Sequence, residues 1–228
     1  MGNDLQEGGR FAPTQIVNTS FEVNMNGIIE VTRHRLLLGD ITTGVVGVLM
    51  GDDRADVVYS DPPWGPGNQQ YWHTYRDRGS VPRTDWPGFL NAFCRAVVGA
   101  RKLNAPVFVE MGMRWTGDLD GAMGDVGLPK QRDWAITYGP KNKQLPLRLT
   151  LYGPEDHPID LGENTYGEAV TREVLRSVVH PGTIVLDPCT GLGMTSRWTH
   201  RFGGCFRGTE MTAKRLAVTE AWLRKAVR

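Results

Sequence analysis

The chain has 228 residues, with 26 lysines and arginines against 25 aspartates and glutamates and a net charge of +1. At 40% hydrophobic and 22% charged residues it suits one globular domain and excludes a disordered chain. The near balance of charge excludes the overall basicity of an architectural DNA-binding protein, and no apolar run approaches the ~20 residues that span a bilayer.

Met1 to Pro13 is polar and glycine-containing, without a signal-peptide pattern. Residues 1–15 are expected to form a disordered tail before a single domain over 16–228. Arg33 to Leu38 reads as a short strand ended by Gly39-Asp40. Ala55 to Ser60 is the next strand, and it runs into Asp61-Pro62-Pro63-Trp64. Gly65 to Pro87 is polar and aromatic with little periodicity, and reads as a long loop of the kind that carries function. Phe89, Leu90, Phe93, Val97 and Val98 approximate a helical stripe over 86–102, with Asp85 as its N-cap.

Pro106 to Met111 is a buried strand, and 112–130 is loop and weak helix. Trp134–Tyr138 and Leu145–Tyr152 are two further strands around the turn-rich Pro140-Lys141-Asn142-Lys143. A helix over Glu168–Val179 precedes a strand at 183–186, a glycine turn and a helix at 194–201. Cys205–Glu210 is the last strand, and Thr212 caps a final helix. About seven strands alternating with helices make an α/β layered fold.

Two strings carry the chemistry. Asp187-Pro188-Cys189-Thr190-Gly191-Leu192-Gly193 follows a strand and opens a helix. Glycine lets a backbone approach a ligand, and a first helical turn offers free N–H groups. Glu210 ends the next strand, where a carboxylate can accept from both ribose hydroxyls. A dinucleotide fingerprint wants a third glycine; Ser196 stands there. The other string, Asp61-Pro62-Pro63-Trp64, offers an acceptor, a rigid proline backbone and a π-face. Its simplest alternative is a proline strand terminator beside a core tryptophan.

Together the strings resemble the amino-methyltransferases that use S-adenosylmethionine and act on nucleic-acid bases. The catalytic string comes first, which resembles the permuted, beta-class order, over roughly residues 33–228. The resemblance implies a Rossmann-like methyltransferase fold with a central, mostly parallel seven-stranded sheet. It implies a catalytic half over about 33–152 and a cofactor-binding half over 153–228; members of the family often carry a target-recognition insertion between them, and here the interval of about Gly153 to Gly167 is too short for a sizeable separate target-recognition domain. Asp61, Pro62, Pro63 and Trp64 would be catalytic, with Asp61 and the Pro62 carbonyl accepting the hydrogens of an exocyclic amine and Trp64 stacking on a flipped base. Asp at the first position leans to the N6 amine of adenine.

S-adenosylmethionine would sit on Asp187, Pro188, Cys189, Gly191, Gly193, Thr195 and Glu210, with Asp40 at the edge of its adenine. Cys189 stands where the family usually has Phe. A Lys-Pro element of the family is missing, and Asn164 and Thr165 are the candidates to hold the methionine carboxylate. Aromatics interleaved with arginines — Tyr71, Trp72, Tyr75, Arg76, Arg78 and Arg83 — suit bases and phosphates, and a second basic cluster includes Lys141 and Lys143.

The expected partner is DNA, with RNA as the alternative substrate, cytosine N4 as the alternative amine, and a homodimer or partner subunit as the other source of target recognition. A catalytically weak nucleic-acid-binding subunit is the reading of a different class; the intact strings argue against it. Three cysteines at no metal-like spacing give the expectation of a cytoplasmic protein without metal or membrane partner.

Overall fold

Short runs rich in β-branched, aromatic or leucine residues, most of them closed by a turn with glycine or proline, set the strands. A computed structural model describes residues 27–77, 85–139, 143–163 and 165–228, with 75–77 as backbone only. The expected tail and Arg78, Arg83, Lys141 and Asn164 lie outside the described residues, as do the side chains of Tyr75 and Arg76.

The strands are β1 (Ile28–Val31), β2 (His34–Leu38), β3 (Val57–Ser60), β4 (Val107–Gly112), β5 (Lys130–Tyr138), β6 (Leu145–Tyr152), β7 (Ile184–Asp187) and β8 (Cys205–Glu210). They form one eight-stranded sheet in the order β1-β2-β8-β7-β3-β4-β6-β5. The five strands from β2 to β4 in that order are parallel; β1, β6 and β5 pair antiparallel.

The sequence reading expects seven strands. The eighth is β1, which turns back onto β2 through Thr32 in a positive-φ conformation (52°). Its four residues give too short a pattern to separate from a coil. The larger correction is the stretch after Trp64. Most of it is a helix, α2 (Pro66–Asp77), not a loop. Pro66 opens that helix, where a missing N–H costs nothing. Its buried face carries Asn, Gln and Trp instead of aliphatic residues, so the periodicity is hidden.

The remaining helices are α1 (Val45–Met50), α3 (Trp86–Ala100), α4 (Thr116–Asp125), α5 (Glu168–Val178), α6 (Met194–Arg201) and α7 (Ala213–Ala226). Asp85 caps α3 by accepting from the Gly88 N–H, as expected. Thr212 holds the N-cap position of α7, but its hydroxyl makes no cap bond.

Strand alternation sorts the core. Leu37, Val58, Val107, Val109 and Leu186 pack with α1, α3 and α4 on one face. Val57, Tyr59, Phe108 and Val185 pack with α5 on the other, and Leu36 and Phe206 with α7. Burial of these aliphatic and aromatic side chains, worth about 1.5–3 kcal/mol each, holds the layers together. Among the described residues no helix is long and apolar enough to cross a membrane.

Candidate active site

Neighbouring parallel strands end on the same edge, so the loops after β2, β8, β7 and β3 lie side by side. Leu38 is opposite Glu210, Asp187 opposite Gly208, and Val58 opposite Leu186. From the β7–β3 pair, β8 is reached on one side and β4 on the other. That reversal opens a crevice at the carboxyl ends, the usual ligand position in an open α/β sheet.

A cavity of about 260 Å³ occupies the crevice. Asp61, Pro62, Pro63 and Trp64 line it from one side, and Asp40, Pro188, Cys189 and Glu210 from the other, with Trp72 from α2. Asp187, Gly191, Gly193 and Thr195 stand behind the lining. Thr165 lies at the β5 edge, its carbonyl accepting the Thr137 N–H at 2.9 Å. Tyr71 and Lys143 are exposed and also outside the lining.

The two strings are fastened to each other. Asp187 is buried, and its Oδ1 accepts from the Ser60 hydroxyl at 2.9 Å and the Cys189 N–H at 3.1 Å. Ser60 immediately precedes Asp61, so the glycine turn and the acidic turn share one anchor. Glu210 serves two amides: Oε2 accepts from Gly191 at 2.9 Å and Oε1 from Thr212 at 2.8 Å. Gly191 and Gly193 have φ of 59° and 80°, values that L side chains rarely adopt.

Three carboxyls crowd this edge, Asp187 and Glu110 buried and Asp61 half-buried at the cavity wall. Burial raises the Asp61 pKa, with repulsion from Asp187; the Trp64 indole, donating to Asp61 Oδ1 at 2.6 Å, opposes the rise. Burial pushes Asp187 up to about 6. Glu110 of β4 lies below, bonded to the Tyr59 hydroxyl, and burial and the nearby Asp61 raise its pKa as well. The Cys189 thiol is pushed well up by burial and by Asp187. A thiol held protonated is a poor nucleophile, which fits packing and not covalent chemistry.

Several site residues escape a sequence reading. Tyr138 lines the cavity and meets Trp64 edge-on at 5.6 Å. Arg215 of α7 lies over the Trp72 ring at 4.0 Å. Asn68, Gln69 and His73 join Trp72, which the sequence does flag, on the α2 face of the cavity. A lone Glu within the apolar Val107–Gly112 run is the one signal that could have flagged Glu110.

On the antiparallel strands, Lys130, Arg132 and Arg148 are paired internally. Lys130 and Arg148 both meet Asp120 and Asp133, and Arg132 meets Asp156. Among the described residues no group of three or more His, Cys, Asp or Glu could hold a metal ion.

Similar architecture occurs in DNA methyltransferases. The PvuII DNA methyltransferase (cytosine-N4-specific) superposes with a TM-score of 0.61 at 13% identity, covering 83% of this chain and 85% of that one. TTHA0409 of Thermus thermophilus, assigned as a DNA modification methylase, gives 0.58 at 16% identity in complex with S-adenosyl-L-methionine, covering 85% and 94%. The M1.HpyAVI–SAM complex gives 0.57 at 12% identity, covering 82% and 97%. This chain has the Rossmann-like methyltransferase fold. At such identities the likeness concerns the fold alone. No protein-family model and no curated protein matches the sequence.

Proposed function

We propose that the protein transfers a methyl group from S-adenosylmethionine to the exocyclic N6 amine of adenine in DNA. The observation that carries this reading is one cavity lined by both Asp61-Pro62-Pro63-Trp64 and the Pro188-Cys189/Glu210 turn. The fold is shared with two proteins whose descriptions name DNA methylation, one of them with bound S-adenosylmethionine, and with M1.HpyAVI, also bound to S-adenosylmethionine.

The residues fit that cofactor. At Gly191 a Cβ would stand 2.6 Å from Arg215 Nη2 and fill the cradle over the turn. Glu210 lines the cavity and keeps lone pairs beyond the two amides it accepts. Gly39, Asp40, Ile41 and Met211 complete the end where an adenine ring would lie. When bound, the cofactor supplies an electrophilic methyl group.

The chain's own residues do the orienting. An aromatic amine is a weak nucleophile because its lone pair is delocalised into the ring. Asp61 and the Pro62 carbonyl accept its two hydrogens and aim the lone pair along the transfer line. Trp64 and Tyr138 offer aromatic surface to a base taken out of its stack. Cytosine N4 is the second reading, favoured by the likeness to a cytosine-N4-specific enzyme.

The deciding experiment is tritiated-methyl transfer to DNA and RNA side by side, followed by mass analysis of the nucleosides. Label in N6-methyladenine from DNA is the expected result. Label only in RNA or in N4-methylcytosine would replace the substrate, and no label in any nucleoside would overturn the activity.

A further inference from the structure

Gln69 lines the cavity and is 4% exposed, yet its Oε1 has no hydrogen-bond partner among the described residues. Buried polar atoms in folded proteins are almost always matched, and one left open inside a cavity points to a missing donor. Its neighbours are matched by the protein itself. Asn68 Oδ1 accepts from the Trp64 N–H and the Trp72 Nε1, both at 3.2 Å. Asp40 Oδ1 accepts from the Thr42 N–H at 3.0 Å and the Thr42 hydroxyl at 2.8 Å, capping its own turn. Asp40, the acceptor expected for the adenine amine, is thus partly occupied, and Gln69 is open.

Packing ties the start of this helix to the α3 side of the cavity. Gln69 lies one turn after Gly65, whose carbonyl accepts its N–H at 2.9 Å, and so shares that face of α2. Gly65 abuts the Trp115 indole so closely that a Cβ there would collide. Trp115 packs on Trp86 at 5.9 Å, and Trp86 stacks on Phe89 at 5.7 Å. Phe89 and Ile41 belong to one core cluster and both line the cavity. Ile41 follows Asp40, so this packing runs from the start of α2 to the Asp40 side of the cavity that Gln69 also lines.

We infer that Gln69 reads the adenine ring of the cofactor, its amide oxygen accepting from the 6-amino group and its NH2 donating to the adjacent ring nitrogen. A carboxamide matches such a donor–acceptor edge in two points. The inference rests on the S-adenosylmethionine reading above. A flipped target base presents the same edge, so the test separates the two sources.

Titration calorimetry on the full chain would compare S-adenosylhomocysteine with its purine analogue lacking the 6-amino group, in wild type and Gln69→Leu. Wild type should bind the analogue roughly tenfold more weakly than S-adenosylhomocysteine, the scale of one well-made hydrogen bond. Gln69→Leu should bind both with the weaker affinity. Without ligand, Gln69→Leu should melt at or above the wild-type temperature, because no internal bond is lost. Full discrimination of the two ligands by Gln69→Leu would overturn the inference while leaving the cofactor reading intact. Unchanged cofactor affinity with a tenfold higher KM for DNA would assign the amide to the target base instead, and also overturn it. Failure of wild type to bind S-adenosylhomocysteine at all would overturn the cofactor reading itself.

Discussion

The indole N–H of Trp64 donates to Asp61 Oδ1 at 2.6 Å, so the aromatic surface and the acceptor of the acidic turn are one locked unit. The bond fixes the carboxylate's orientation and partly offsets the burial that raises its pKa. In the proposed transfer, an incoming amine would meet an acceptor already aimed.

The proposed amine orientation would need ionised Asp61, so activity should fall as pH drops through its raised pKa. Trp64→Phe keeps a ring but removes the donor. The Asp61 pKa then climbs, and the acid limb of kcat/KM should move to higher pH. Trp64→Ala should also lose stacking worth about 1–3 kcal/mol. Asp61→Ala should lower kcat on the order of 100-fold or more while leaving S-adenosylhomocysteine affinity near wild type. An acid limb at an unchanged pH in Trp64→Phe would show that the indole bond does not tune the carboxylate.

Glu210 has a structural duty besides any ribose contact. Its carboxylate holds the amides of Gly191 in the glycine turn and Thr212 at the start of α7. Glu210→Ala should therefore lower the melting temperature without ligand, by the equivalent of about 1–3 kcal/mol for orphaned buried amides, as well as weaken the cofactor. A variant that lost cofactor affinity with an unchanged ligand-free midpoint would confine Glu210 to the ribose.

The two turn glycines should differ. A Cβ at Gly193 would stand 2.5 Å from Thr219 Oγ1 and 2.7 Å from Thr219 Cγ2, in a buried and short side chain. At Gly191 it would meet only the end of a flexible arginine, at 2.6 Å. Both positions carry positive φ. Gly193→Ala adds overpacking of about 1–3 kcal/mol to the backbone cost, whereas Gly191→Ala carries about 1 kcal/mol of strain. Chemical denaturation would check the order, and equal losses would discount the Thr219 contact.

The strands next to the cavity are legible in the sequence because apolar runs end at Gly39-Asp40, Asp61-Pro62 and Asp187-Pro188. The turn that begins a loop is a local property, and so is the cap at Asp85. The α2 face is not legible: its inward residues are Asn68, Gln69, Trp72 and His73, and hydropathy cannot show that a polar stripe faces a cavity. Tyr138 reads as strand, but its meeting with Trp64 depends on β5 folding back over β6 and β4. The pairing of Lys130, Arg132 and Arg148 with carboxylates likewise needs the sheet. A basic run in sequence says nothing of which acids will stand beside it.

One prediction concerns the far end of the sheet. His34 is fully buried; its Nδ1 accepts the Phe206 N–H at 3.0 Å, and Nε2 lies 3.1 Å from His200 Nδ1. Burial, with Arg33, His200 and Arg207 nearby, lowers its pKa to about 3. The unfolded chain takes up a proton near 6.5, and the folded chain does not. Between those values the unfolded state binds more protons, so stability is lost as pH falls below 6.5 and the loss continues towards 3. One unit below the unfolded value the cost is about 1.4 kcal/mol. His34→Asn keeps an oxygen that can accept from Phe206 but cannot charge. Its melting temperature should start lower than wild type at about pH 7.5, from lost packing, yet fall less on going to about pH 5.5. Parallel declines in the two proteins would mean that His34 is not the group that sets the acid limit of this fold.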